Sequence, residues 1–463
     1  MSSPVMVAGD HVSPQQQAGQ SERKPGCKDP IFAVLFYVNV AAIIGIAATM
    51  GKDALTSFAD GGSIYDYSGF IYASVIISLA SLVFAGISLL IVMKFPETVI
   101  KISLVFVVVL ALVWALIAFA SGSMIGGIIG LLFFGLSVWY AKAVWSRIPF
   151  AACNLSCAIS AIRANFGVVL FAYLFPILGI FWVIIWLVAF LGLYDSIYTT
   201  GAADGSSSSG GGVAYGYLFL MFLSMFFTEQ VLENSVQCTI SGVVGTWWIA
   251  PQDNGFCSGA VCGSFVRTVT TSFGSICFGS LLVAIIRALE SLARSAQENG
   301  DAGILACIAE CILSCLAGLV EYFNKWAFVY VGVYGYGYLE AGKNVIQLFK
   351  NRGWEAIIAD DLVGNVVALM SFVTGGFMGG IAVLLESNTN WFASVPSDAP
   401  IFAFILGFIL GTAITAILLS TMASGVNAVI VMFADAPAEL ERNYPEISRD
   451  MRAKWNEVYP GSV

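Results

Sequence analysis

The chain has 463 residues, 59% of them hydrophobic and 11% charged, with a formal net charge of −9 and a single histidine. Soluble domains carry roughly 25% charged residues. That deficit, with repeated continuous apolar runs of about 20 residues, excludes a soluble globular protein, and the continuity of the runs excludes an outer-membrane barrel, whose strands alternate. The composition defines an all-α fold, a polytopic transmembrane helical bundle of about 10–11 spans.

The first thirty residues are polar and hold His11, so no histidine is left for a triad, a general base or a metal site inside the membrane. Such a leader does not resemble a cleaved signal peptide; the first apolar run reads as an uncleaved signal anchor. Residues 1–30 are expected to be a disordered cytosolic tail, 31–432 the transmembrane domain and 433–463 a cytosolic C-terminal tail. Expected spans are 31–50, 68–93, 99–120, 123–144, 166–193, 215–240, 264–287, 327–348, 362–385 and 400–431. The stretch 303–320 carries Glu310 near its middle, with Glu321 just beyond, and reads as an interfacial amphipathic helix. Its Cys307, Cys311 and Cys315 share one helical face.

Lysine and arginine set the expected orientation. Arg23, Lys24 and Lys28 precede the first span, and Arg442, Arg449, Arg452 and Lys454 follow the last, so both termini read as cytosolic. The loops 51–67, 195–213 and 386–399 hold one lysine, Lys52, and read as external; the second contains the core-less run GSSSSGGG. Arg287 and Arg294 conflict with this count, since they place the end of the seventh span in the cytosol. The conflict disappears if 215–249 enters and returns, or if 303–320 crosses.

The segment Leu218–Trp248 is the richest in chemistry. It is apolar enough to span, yet carries Thr228, Glu229, Gln230, Glu233, Asn234 and Gln237. Polar groups in hydrocarbon cost several kcal/mol each unless they find partners or line a wet cavity. Gln230, Asn234 and Gln237 share a helical face, while Glu229 and Glu233 form a neighbouring i, i+4 stripe. The segment is a candidate polar pathway with a proton- or cation-coupling carboxylate; interhelical hydrogen bonding is the plainer alternative. About 35 residues exceed one upright crossing, so a helix broken near Gly242 is expected. Trp247 and Trp248 read either as membrane-belt residues or as an aromatic wall for a quaternary ammonium ion.

A second aromatic cluster, Tyr330, Tyr334, Tyr336 and Tyr338, alternates with Gly332, Gly335 and Gly337. Glycine at that density loosens a helix, and a broken, tyrosine-lined helix suits an organic cation. Paired glycines elsewhere, such as Gly126 with Gly130 and Gly375, Gly376, Gly379 and Gly380, read as close helix packing or as hinges. Asp360 and Asp361 precede a span and favour its N-terminus. There is no P-loop, no basic run for nucleic acid and no metal or cofactor motif, so an ATP-driven pump and an enzyme are disfavoured.

FLSMFFTEQVLENSVQCTISGVVGTWW resembles the signature block of the choline transporter-like proteins, through Gln230, Val231, Asn234, Thr239, Gly242, Thr246, Trp247 and Trp248. GSICFGSLLVAII, NKWAFVYVGVYG and SGVNAVIVMFADAP resemble further blocks of that family, in the same order. The short 51–67 loop is similar to the fungal and protist branch, the pH-nine-sensitive proteins. The resemblance implies a multi-pass cell-membrane carrier of choline or a related organic cation, often exchanging with protons, with no cofactor. Residues Gln230, Asn234, Trp247, Trp248, Tyr334 and Tyr338 are the expected substrate contacts and Glu229 and Glu233 the expected coupling groups. Those two glutamates stand where the family usually has small or other polar residues. A carrier of another solute, such as ethanolamine or a thiamine-like cation, and a non-transporting membrane scaffold are the alternatives.

Overall fold

The structure, a computed structural model, describes residues 26–51, 68–203, 210–298, 303–352, 362–389 and 399–459. His11, Arg23, Lys24, Lys52, Asp360 and Asp361 lie outside the described residues, as do most of the loops read as external. Regular structure among the described residues is helical throughout. The helices are α1 (Pro30–Thr49), α2 (Ser68–Lys94), α3 (Pro96–Ala120), α4 (Met124–Val144), α5 (Ile148–Ala164), α6 (Val168–Ala203), α7 (Gly210–Ile249) and α8 (Gly259–Val269). They continue with α9 (Phe273–Glu298), α10 (Gly303–Tyr334), α11 (Tyr338–Arg352), α12 (Leu362–Thr389), α13 (Ala399–Asp435), α14 (Pro437–Asn443) and α15 (Pro445–Val458).

Nine stretches among the described residues are long and apolar enough to cross a membrane, one each in α1, α2, α3, α6, α9, α10, α12 and α13, and one running through α4 and α5. To these α7 adds a forty-residue helix, packed inside the bundle against α6, α9, α10 and α13. The architecture is the expected all-α polytopic bundle. Local starts and stops follow from sequence: proline opens α1 and α3 in their first turn, where its missing N–H costs nothing. Ser123 caps α4 by accepting from the Gly126 N–H at 3.2 Å.

Three expectations about helix boundaries are corrected. α7 is unbroken through Gly242. That glycine is a crossing point instead, because a Cβ there would lie 3.0 Å from the Gly332 carbonyl oxygen. In return a Cβ on Gly332 would lie 2.4 Å from the Cys238 carbonyl, so α7 and α10 meet backbone to backbone. The stretch 303–320 is not a separate interfacial helix; it is the first half of α10, and Cys307–Tyr334 is one apolar crossing. The expected 327–348 span divides, with α10 ending at Tyr334, Gly335 at φ 72° and α11 starting at Tyr338. Only glycine adopts that φ without cost, so the break anticipated among these glycines is real and falls at Gly335.

Glycines also bring α12 and α13 together. A Cβ on Gly407 would lie 2.5 Å from the Met378 carbonyl, and one on Gly375 would lie 2.1 Å from Thr412 Oγ1. Gly376 and Gly380 face open space, so they carry no such contact.

The described ends of the chain lie on one side. Asp29, just before α1, accepts from Ser275 Oγ at the start of α9 and from the Tyr338 N–H at the start of α11. Tyr334, at the end of α10, meets Asp435, at the end of α13. The stretch read as a C-terminal tail is folded over residues 437–458. Trp455 of α15 is wholly buried, donates to Asn154 Oδ1 at 3.1 Å, and packs on Phe150 and Phe433.

Candidate functional site

About midway along α9, Arg287 donates through Nε and Nη2 to Glu321 Oε1 of α10, at 2.9 and 2.5 Å. Two turns further, Arg294 pairs with Glu310 of α10 at 2.9 Å and with Glu290 at 3.6 Å. Arg287, Glu290, Arg294 and Glu321, with Phe226 of α7 and Ser291, line a crevice of about 470 Å³ between α7, α9 and α10. Glu229 and Glu233 of α7 are exposed and act electrostatically on Arg287. Five carboxylates therefore surround two guanidinium groups. A lone arginine within a membrane span costs roughly 2.5–3.5 kcal/mol or more; the neighbouring acids offset that cost.

This pairing resolves the conflict over Arg287 and Arg294. They do not mark an aqueous loop on the side of the termini. α9 runs away from that side, α10 returns, and the arginines are held by carboxylates between the two helices.

The polar groups of α7 divide into two sets. Glu229 and Glu233 act electrostatically on Arg287, and Gln230 donates to Glu233 Oε2 at 3.2 Å. The others bind neighbouring helices: Thr228 accepts from Asn39 at 3.3 Å, Asn234 donates to Ser280 at 2.9 Å, and Gln237 donates to the Lys325 carbonyl at 2.6 Å. Asn234 is buried, so its amide is engaged in a contact between α7 and α9.

Each of the expected aromatic residues is engaged by a protein partner. Trp247 stacks on Tyr444 with centroids 4.2 Å apart, and Trp248, fully buried, donates to the Ala436 carbonyl at 2.8 Å. Asn443 donates to the Trp248 and Ile249 carbonyls. The two tryptophans thus hold the C-terminal helices. Tyr338 donates to Asn324 Oδ1 at 2.5 Å, and Asn324 donates to the Gly279 carbonyl, at the junction of α9, α10 and α11. Tyr334 donates to Asp435 at 2.5 Å within a cluster that includes Tyr330 and Tyr336.

Sequence reading did not single out Asp29, Asp435, Ser280 or Asn324 as site groups. Asp435 lies within the block SGVNAVIVMFADAP, where an acid ending a long apolar helix is the signal that was available. Arg287 and Glu321 were seen, but not as partners, since 34 residues separate them in the chain. No cluster of His, Cys, Asp and Glu suited to a metal occurs among the described residues.

A polytopic helical bundle with a charged crevice between α7, α9 and α10 has the build of a membrane transporter. The profile of the family described as plasma-membrane choline transporter matches residues 128–438. The chain belongs to that family. It is 30% identical to Protein PNS1 of Mycosarcoma maydis, over 98% of this chain and 88% of that one. It is 28% identical to a CTL-like protein of Dictyostelium discoideum, over 91% of this chain and 74% of that one. Protein PNS1 of Debaryomyces hansenii is 27% identical, over 95% and 91% of the two chains. The resemblance to the fungal and protist branch is thereby borne out.

Proposed function

We propose that this protein is a secondary transporter of choline or a related organic cation, working by alternating access. The observation that carries the reading is the crevice between α7, α9 and α10, lined by Arg287, Arg294, Glu290 and Glu321, with Glu229 and Glu233 of α7 acting electrostatically on Arg287. A desolvated monovalent cation gains most where carboxylates exceed guanidinium groups, and family membership supplies the ligand class. The substrate enters past Phe226 of the crevice lining, where Gln230 holds Glu233 in place; contact with Asn234, Tyr334 and Tyr338 requires the rearrangement of alternating access, since each is bonded to another helix here. Glu229 or Glu233 balances its charge or carries the coupled proton.

Trp247 and Trp248, expected as an aromatic wall, take a different role in this reading. Stacked on Tyr444 and bonded to Ala436, they anchor the C-terminal helices, and the aromatic contacts pass to the tyrosines. Both termini are read as cytosolic, in a plasma-membrane protein.

The test is uptake of labelled choline into proteoliposomes under an imposed pH gradient of either sign. Saturable uptake above empty liposomes is expected, with ethanolamine and thiamine ranked by competition. Absence of saturable uptake under both gradients would sink the reading.

A further inference from the structure

The tyrosine cluster at the end of α10 is built around a carboxylate. Tyr334 donates to Asp435 Oδ2 at 2.5 Å, and Tyr330 also hydrogen-bonds Asp435. The Tyr330 and Tyr334 rings lie 5.1 Å apart, and Tyr336 lies 6.0 and 6.1 Å from them. Asp435 is the last residue of α13, where the helix dipole disfavours a negative charge. Something positive is needed there. Arg352, the last residue of α11, supplies it: its Nε donates to the neighbouring Ala434 carbonyl at 3.0 Å and its charge acts on Asp435.

A cluster of three tyrosine rings, two of them bonded through their hydroxyls to one carboxylate, supplies both elements that recognise a quaternary ammonium ion, aromatic surface and negative charge. The rings touch one another, so the box is closed. Two of its walls can move. Arg352 is exposed, and Tyr336 sits in the non-helical turn at Gly335–Gly337, partly exposed.

We propose that Tyr330, Tyr334, Tyr336 and Asp435 form a second binding site for a quaternary ammonium ion, on the side carrying the chain termini, with Arg352 as the resident cation that the ligand displaces. The ligand class rests on the organic-cation reading above; the site itself rests on this geometry. An ion leaving the crevice on that side meets an Asp435 whose charge Arg352 already offsets, so it must compete with the guanidinium group. The turn at Gly335 lets Tyr336 swing out without moving α10.

Tetramethylammonium titrated calorimetrically into the purified full chain in lipid nanodiscs tests this directly. Wild type is expected to bind at the crevice and at the tyrosine box. Asp435→Asn, which keeps a hydrogen-bond acceptor for Tyr334, should weaken one of the two sites about tenfold or more. Arg352→Gln should tighten the same site severalfold, because the competing cation is gone. Tyr336→Leu removes one face while leaving the Tyr334–Asp435 bond, and should weaken that site severalfold; it decides the matter if Asp435→Asn does not fold. Isotherms for Asp435→Asn or Tyr336→Leu that match wild type overturn the site. Weaker binding in Arg352→Gln overturns the displacement. Binding that depends on Asp435 without any choline uptake leaves this site standing and removes the transport reading. Normal uptake with tetramethylammonium binding indifferent to these residues does the reverse.

Discussion

Arg287 gives two hydrogen bonds to a single carboxylate oxygen of Glu321, 34 residues away on the next helix. The pair sits between α9 and α10, and each side chain keeps about a third of its surface accessible, 34% and 38%. It is a wet pair in a membrane helix bundle, which is where a transport protein needs a fixed charge that can still exchange partners.

Breaking it should separate stability from activity. Arg287→Gln leaves Glu229, Glu233 and Glu321 without their cation, and should destabilise by about 1–3 kcal/mol, below the 3–5 kcal/mol of a sealed pair. Changing both residues to glutamine should recover most of that loss in a thermal melt while choline uptake stays more than tenfold down. Wild-type uptake in the double variant would remove the pair from the pathway.

Neutralising the α7 acids should flatten the dependence of uptake on pH. Glu233→Gln holds the group permanently uncharged, so protons can no longer be exchanged there. Uptake against external pH in Glu233→Gln and Glu229→Gln checks this, and unshifted profiles in both remove the carboxylates from coupling.

Filling the α7–α10 crossing should cost stability without touching a charged group. A side chain on Gly332 meets the Cys238 carbonyl, which is backbone and does not yield. Gly332→Val should cost about 1–3 kcal/mol, read as a lower melting temperature in detergent, whereas Gly376→Ala, facing open space, should melt like wild type.

Trp455→Ala should undock the C-terminal helices. Removing a fully buried tryptophan costs about 3–5 kcal/mol, and Asn154 loses its donor. Faster hydrogen exchange over residues 437–458, with α9 and α10 unchanged, is the expected signature. Uniform exchange across the whole chain would mean that α15 is part of the common core.

What could be read from sequence was whatever a single helix decides for itself. The apolar runs gave the spans, and glycine density at 332–337 gave the break. Gly242 misled because its contact, Gly332, lies ninety residues away; in isolation a glycine inside a long polar helix looks like a kink. Glu310 and Glu321 made 303–320 look interfacial because the arginines that neutralise them are on α9. Trp247 and Trp248 fit a cation wall as well as a membrane belt, and it is Tyr444 and Ala436, far along the chain, that bury them and make them an anchor. In each case the missing information was a partner on another helix.

The continuity of α7 joins events at its two ends. Glu233 and Trp248 are fifteen residues apart on one uninterrupted rod, about 22 Å along its axis. The helix cannot bend between them as a broken one would, so a tilt that rearranges the acids must also lever the indole pair against α14. A movement of the acids is thus transmitted along one rod to the chain's last helices.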